Sequence, residues 1–294
     1  MDRSEARATT AASGARLDNV RAQISRYYGG TDGIIAVRRS GSSGAFLFVA
    51  DTTQRAHHLR TLGTIGRSSV IIEHSAMDLL HPERLVFSYE RVMLIALALA
   101  DAPRSVLLLG LGGGAMCRHL SAYLPETQVT VVERDSGVIA LAREHFRVDH
   151  KIIRGDAEEI VADRRGEFDA ILVDVYDATG TPPLEDSFWQ DCLAALRPGG
   201  CIAINWAGSP EGGSPKKDIA RVAKELPGSF LVTLRGLRPN TVQFTPTAAS
   251  FRVADLTARF RDFAIRHALP REDRDILNRC AVTARFRMPA REDR

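Results

Sequence analysis

The stretch from Ser105 to Asp135, SVLLLGLGGGAMCRHLSAYLPETQVTVVERD, restricts what this chain can fold into more than any other. Residues 106–109 form an apolar run of strand length, and Gly110-Leu111-Gly112-Gly113-Gly114 follows at once. Met116, Leu120 and Tyr123 or Leu124 then recur at helical spacing. Residues 129–132 form a second apolar run, which ends in the acid Glu133. Strand, glycine turn, helix, strand, acid is the order of a nucleotide-binding βαβ unit. Glycines let the backbone turn sharply and approach a ligand closely. The helix start offers free N–H groups. A carboxylate at the tip of the next strand can accept both hydroxyls of a ribose. For the glycines alone, a tight turn with no ligand is an equal alternative.

Further acids shift that balance. Gly155-Asp156-Ala157 follows a third apolar run at 152–153. Phe168 to Asp174, FDAILVD, is a fourth strand, almost wholly apolar as a strand buried on both faces should be. Strands and helices alternate from here to about residue 226. The reading is an α/β fold, a doubly wound and mostly parallel sheet with helices on both faces. A late strand pair at 230–234 and 241–244 suggests that one strand is antiparallel, and residues 251–267 and 275–280 read as helices. In such sheets ligands bind beyond the carboxyl ends of the strands, where Glu133, Asp156 and Asp174 all fall.

The segments before the glycine unit read differently. Residues 1–18 are rich in Ala, Arg, Ser and Thr without apolar period, so residues 1–32 are expected to be disordered or loosely attached. Runs at 34–37 and 45–49 flank a Ser/Gly-rich turn and read as a hairpin. With a short run at 70–72 they give a small β domain over residues 33–80. A helix is expected from Pro82 to about Ala100, carrying Tyr89 and Glu90 in its first half. Tyr89 on such a helix is either a core residue or part of a site. Residues 81–283 form the Rossmann-like domain, and 284–294 a solvated tail.

Composition narrows the class. With 294 residues, 45% hydrophobic and 26% charged, the chain can bury a sizeable core. Its net charge of +3 is spread along the sequence and gives no argument for a nucleic-acid partner. Cys117, Cys192, Cys201 and Cys280 show no paired spacing, so they read as thiols in a reducing compartment, with no metal site. The longest apolar run, 92–100, is far short of the ~20 residues that span a bilayer. The start of the chain has no signal-type apolar core. The expectation is a cytoplasmic protein with no membrane partner.

Asp174-Val175-Tyr176-Asp177 ends the fourth strand, and the loop 178–184 after it is long enough to act as a lid. An acid there can hold a cationic substrate or accept a proton from an amine. It can also be a loop acid or a helix cap.

Taken together, VLLLGLGGGAMCRHL, VTVVERDSGVIALAREHF, IIRGDAEE and FDAILVDVYDATGTPP resemble the spermidine synthase family, and AMDLLHPERLVFSYERVM is similar to that family's tyrosine-bearing helix. The resemblance runs from about residue 33 to 244. It implies a small N-terminal β domain in front of a class I methyltransferase-like Rossmann fold with a seven-stranded sheet. It also implies transfer of an aminopropyl group from decarboxylated S-adenosylmethionine to a polyamine or related small amine, without a metal, by a homodimer. Gly110, Gly112 and Gly114 with Glu133 would then hold the donor's ribose end, and Asp156 with Ala157 the adenine. Asp177 would take the proton from the attacking amine with Tyr89 orienting it, and Asp174 would hold the amine, with Glu90 beside Tyr89 on the substrate side.

The chain departs from the family pattern at three places. Gly113 stands where the family has an acid inside the glycine turn, Leu85-Val86 replaces an acidic pair, and Ala178 replaces a proline. Two other readings therefore stay open: an S-adenosylmethionine-dependent methyltransferase on the same scaffold, and a non-catalytic nucleoside-binding homologue.

Overall fold

The structure, a computed structural model, describes residues 3–30, 33–54, 57–66, 69–100, 103–175, 185–207, 215–236, 240–248 and 251–283, with side chains from residue 16 on. Asp177, the lid residues 178–184, most of the 208–215 loop and the tail lie outside the described residues.

The chain opens with a helix, α1 (Arg3–Tyr28), where a loosely attached segment was expected. The reason lies within the stretch expected to be loose, in its second half. Leu17, Val20, Ile24 and Tyr28 fall on one helical face and pack with Phe46, Phe48, Ala50 and Ile65 of the first sheet. Tyr28 also donates to the Glu73 carboxylate at 2.7 Å.

That first sheet is antiparallel, in the order β1 (Ile34–Arg39), β2 (Phe46–Gln54), β3 (His57–Ile65), β4 (Ile71–Asp78). The hairpin expected from the sequence is β1–β2. β3, HHLRTLGTI, adds a strand that the short-run reading passed over. Beyond β4 the expected helix is shorter and broken into α2 (Ser88–Met93) and α3 (Ile95–Leu99). Asp78 holds the turn before them by accepting from the N–H groups of Leu80 and His81. Glu90 starts α2 by accepting from the Phe87 N–H at 3.1 Å.

The second sheet carries β5 (Ser105–Leu109), β6 (Gln128–Glu133), β7 (Ile152–Arg154), β8 (Phe168–Val173), β9 (Leu196–Trp206), β10 (Phe230–Leu234), β11 (Thr241–Pro246) and β12 (Cys280–Thr283). Their order is β12-β10-β11-β9-β8-β5-β6-β7, and the last five strands of that row run parallel. Between them lie α4 (Ala115–Tyr123), α5 (Ser136–His145), α6 (Ala157–Ala162), α7 (Asp186–Ala195) and α8 (Lys216–Glu225), and α9 (Leu256–Arg266) and α10 (Arg271–Arg274) follow β11. β5 shows why both faces are covered: Val106 and Leu108 enter one core, Leu107 and Leu109 the other.

Two expectations are corrected here. Among the described residues the sheet has eight strands, because Cys280–Thr283, just past a helical turn at Ile276–Arg279 that falls within the expected helix, pairs with β10. β11 and β12 both run against their neighbours, where one antiparallel strand was expected. A four-residue edge strand is too short to show alternation in sequence. No helix among the described residues is long and apolar enough to cross a membrane.

Candidate active site

Register brings the sequence-read residues to one edge. Leu109 lies opposite Val132 on one side and Val173 on the other, and Val173 lies opposite Ile204. The next residue of each strand is Glu133, Gly110, Asp174 and Asn205, so these four line the carboxyl end of the sheet side by side.

The glycine turn is built for close approach. Gly110, Gly112 and Gly114 have φ of 98°, 51° and 69°, in the left-handed region that favours glycine. A Cβ on Gly110 would also sit 2.3 Å from the Asp174 carbonyl oxygen. Gly113 is not among the positive-φ residues. Its constraint is space: an added Cβ would lie 2.9 Å from the Phe146 ring and 3.0 Å from the Ser75 hydroxyl. Arg118, buried behind the turn, donates to the carbonyls of Gly113, Phe146 and Pro82.

Glu133 is half-buried and already engaged. Its Oε2 accepts from the Leu111 N–H at 3.1 Å, and its Oε1 from the Asp135 N–H at 2.8 Å. Burial pushes its carboxyl above the usual range, against the pull of those N–H groups. A carboxylate has about four acceptor sites, so these backbone N–H groups still leave room for a further donor. Asp156 caps α6 by accepting from the Glu158 N–H at 3.0 Å, and Ala157 is buried beside it. The cap uses one oxygen, so cap and ligand roles are compatible there.

Asp174 is held from two sides. Tyr89 Oη donates to one oxygen at 3.1 Å and Asn205 Nδ2 to the other at 2.9 Å. Asn240 Nδ2 donates in turn to Asn205 Oδ1 at 3.0 Å. Tyr89 packs its ring on Phe87, 5.9 Å between centroids, so it serves the core and the site at once. Glu90 is 5% exposed, and burial with the nearby Asp174 charge pushes its carboxyl to about 8. It therefore keeps its proton near neutral pH and adds no second anion beside Asp174.

Asn205 and Asn240 were missed by the sequence reading. Asn205 was within reach of it, as the residue at the tip of the strand next to Asp174. Asn240 reaches the site through the antiparallel return of β11, which places Thr241 opposite Trp206. Asp177 lies outside the described residues.

The profile of the methyltransferase domain family matches residues 106–200. A polyamine aminopropyltransferase of Chromobacterium violaceum is 37% identical over 139 residues, which are 45% of this chain and 53% of that protein. A probable spermidine synthase from Corynebacterium glutamicum has the same fold, with a TM-score of 0.64 at 18% identity over 85% of this chain and 90% of that one. By sequence and by fold, this chain is similar to the spermidine synthases. A spermidine synthase solved in complex with the transition-state analogue AdoDATO superposes with a TM-score of 0.58 at 18% identity, covering 84% of this chain and 87% of that one. The sequence likeness spans about half the length of the Chromobacterium relative.

Proposed function

We propose that this chain is a transferase that moves an aminopropyl group from decarboxylated S-adenosylmethionine to a small amine. The observation that carries the reading is the row of strand ends in which the Tyr89–Asp174–Asn205 cluster adjoins the glycine turn and Glu133. The names of the aminopropyltransferase relatives support the transferred group and an amine acceptor.

In this reading Glu133 accepts hydrogen bonds from the ribose hydroxyls, and Asp156 with Ala157 receives the adenine. Asp174, oriented by Tyr89 and Asn205, draws the acceptor's ammonium group to the donor. The ammonium gives one proton to Asp177, and the free amine nitrogen then attacks the aminopropyl carbon attached to sulfur. A C–N bond forms, the C–S bond breaks, and the sulfonium leaves as the neutral thioether of 5′-methylthioadenosine. The product nitrogen is left as an ammonium, which carries the positive charge lost at sulfur. Such a displacement needs alignment and deprotonation more than any other assistance.

Asp177→Asn tests the base. Turnover is expected to fall by ~10²–10⁴ while nucleoside affinity stays near wild type. Normal turnover in this variant removes Asp177 from the mechanism.

Gly113 favours a second reading, methyl transfer from intact S-adenosylmethionine. Without an acid in the turn, nothing at that position selects a lone ammonium over an ammonium with a neighbouring carboxylate. The two readings differ in the nucleoside they release.

A further inference from the structure

The turn between β1 and β2 lies far from the glycine unit in sequence, yet it closes over the residue two beyond Glu133. Asp135 is only 6% exposed. Its carboxylate accepts from Ser40 Oγ at 2.5 Å, Ser42 Oγ at 2.9 Å, the Gly41 N–H at 3.1 Å and the Gly137 N–H at 2.7 Å. Among the described residues no Lys, Arg or His lies within ion-pair distance of it. Burial alone would raise this acid, but the hydroxyls of Ser40 and Ser42 and the two N–H groups outweigh it and hold the carboxyl below its ordinary value. A buried carboxylate without a cation is costly unless its acceptor sites are filled. Here three of the four donors come from the first sheet's turn.

Asp135 is also joined to the ribose carboxylate. Its own N–H donates to Glu133 Oε1, and Glu133 Oε2 accepts from Leu111 in the glycine turn. The first sheet reaches the same turn from its other end, since Ser75 of β4 lies against Gly112 and Gly113. The turn, Asp135, Glu133 and Leu111 thus form one continuous chain of hydrogen bonds between the two sheets.

We propose that the β1–β2 turn is a positioning element of the nucleoside site: Ser40 and Ser42 fix Asp135, and Asp135 fixes the orientation of the Glu133 carboxylate. In this proposal both serines act through Asp135. The first sheet then has a direct part in donor affinity, beyond serving as a packing platform. This consequence for affinity rests on the nucleoside reading above; the positioning itself does not.

Two readouts separate the two claims. Hydrogen exchange by NMR follows the Leu111 and Asp135 amides, both held by Glu133. In Ser40→Ala/Ser42→Ala these two amides are expected to exchange about tenfold faster, the effect of losing ~1.4 kcal/mol of local protection. Amides of β8 stay at wild-type rates. Ser40→Thr, which keeps the hydroxyl, restores most of the protection. Asp135→Asn keeps the helix cap but loses the charge, and falls between. Calorimetry with 5′-methylthioadenosine is expected to show a parallel loss of about tenfold in affinity in the double variant. Unchanged exchange at Leu111 and Asp135 overturns the proposal. If the wild type binds no nucleoside, the functional reading fails, and the exchange rates still decide whether the turn positions Glu133.

Discussion

At the residue scale, two carboxyls raised by burial stand out, Glu133 at the strand ends and Glu90 in α2. In the proposed role Glu133 needs its ionised form to accept from two hydroxyls, and a charged acceptor contributes roughly 1.5–3 kcal/mol per hydrogen bond. Glu133→Ala is therefore expected to weaken 5′-methylthioadenosine binding tenfold or more by calorimetry. Because burial raises this carboxyl, wild-type affinity should also fall as pH is lowered toward the ordinary carboxylate range, while Glu133→Gln gives a flat and weaker profile. Glu90 works through stability. The folded chain holds its proton up to about 8, whereas the unfolded chain releases it in the usual carboxylate range. Between those limits the native state binds more protons, so stability is full at the acid end and is lost as pH rises through the folded value. The facing groups are Asp174, Arg118 and Arg91, with the Phe87 N–H. Glu90→Gln keeps the acceptor for that N–H and should remove a slope of at most ~1.4 kcal/mol per pH unit in urea denaturation. A slope unchanged by the substitution contradicts the buried, protonated acid.

At the element scale, the glycine turn is shaped by what packs behind it. Position 113 differs from the family pattern, and the backbone there would accept a side chain. Phe146, wholly buried, and Ser75 occupy the space instead. Gly113→Ala is expected to cost about 1–3 kcal/mol of stability through overpacking, measured by urea denaturation. Gly113→Asp should lose stability before it gains any donor preference. A Gly113→Ala protein as stable as wild type shows that Phe146 can yield. Much of this layout was legible in the sequence, because β5, β6 and β8 are apolar runs ending in Gly110, Glu133 and Asp174. What was not legible has physical causes. The packing stripe of α1 begins only at Leu17, at the end of the Ala- and Arg-rich stretch. β12 is held by its pairing with β10, not by a pattern of its own. Asn205 and Asn240 meet only because β9 and β11 are neighbours. The Ser40–Asp135 contact joins residues 95 positions apart, and no local signal announces it.

At the scale of the whole molecule, a small antiparallel sheet and a doubly wound sheet meet around one edge. The larger sheet supplies Glu133, Asp156 and Asp174 at its strand ends, and the smaller one braces the turn and the acid between them. The central claim is that this edge transfers an aminopropyl group to an amine. Product analysis tests it most directly. The wild-type protein is incubated with a set of mono-, di- and triamines and either decarboxylated or intact S-adenosylmethionine, and the released nucleoside and the modified amine are identified by mass spectrometry. The account predicts 5′-methylthioadenosine and an amine heavier by one aminopropyl group, formed only with the decarboxylated donor and lost in Asp177→Asn. Release of S-adenosylhomocysteine with a methylated amine, or no product from either donor, contradicts it.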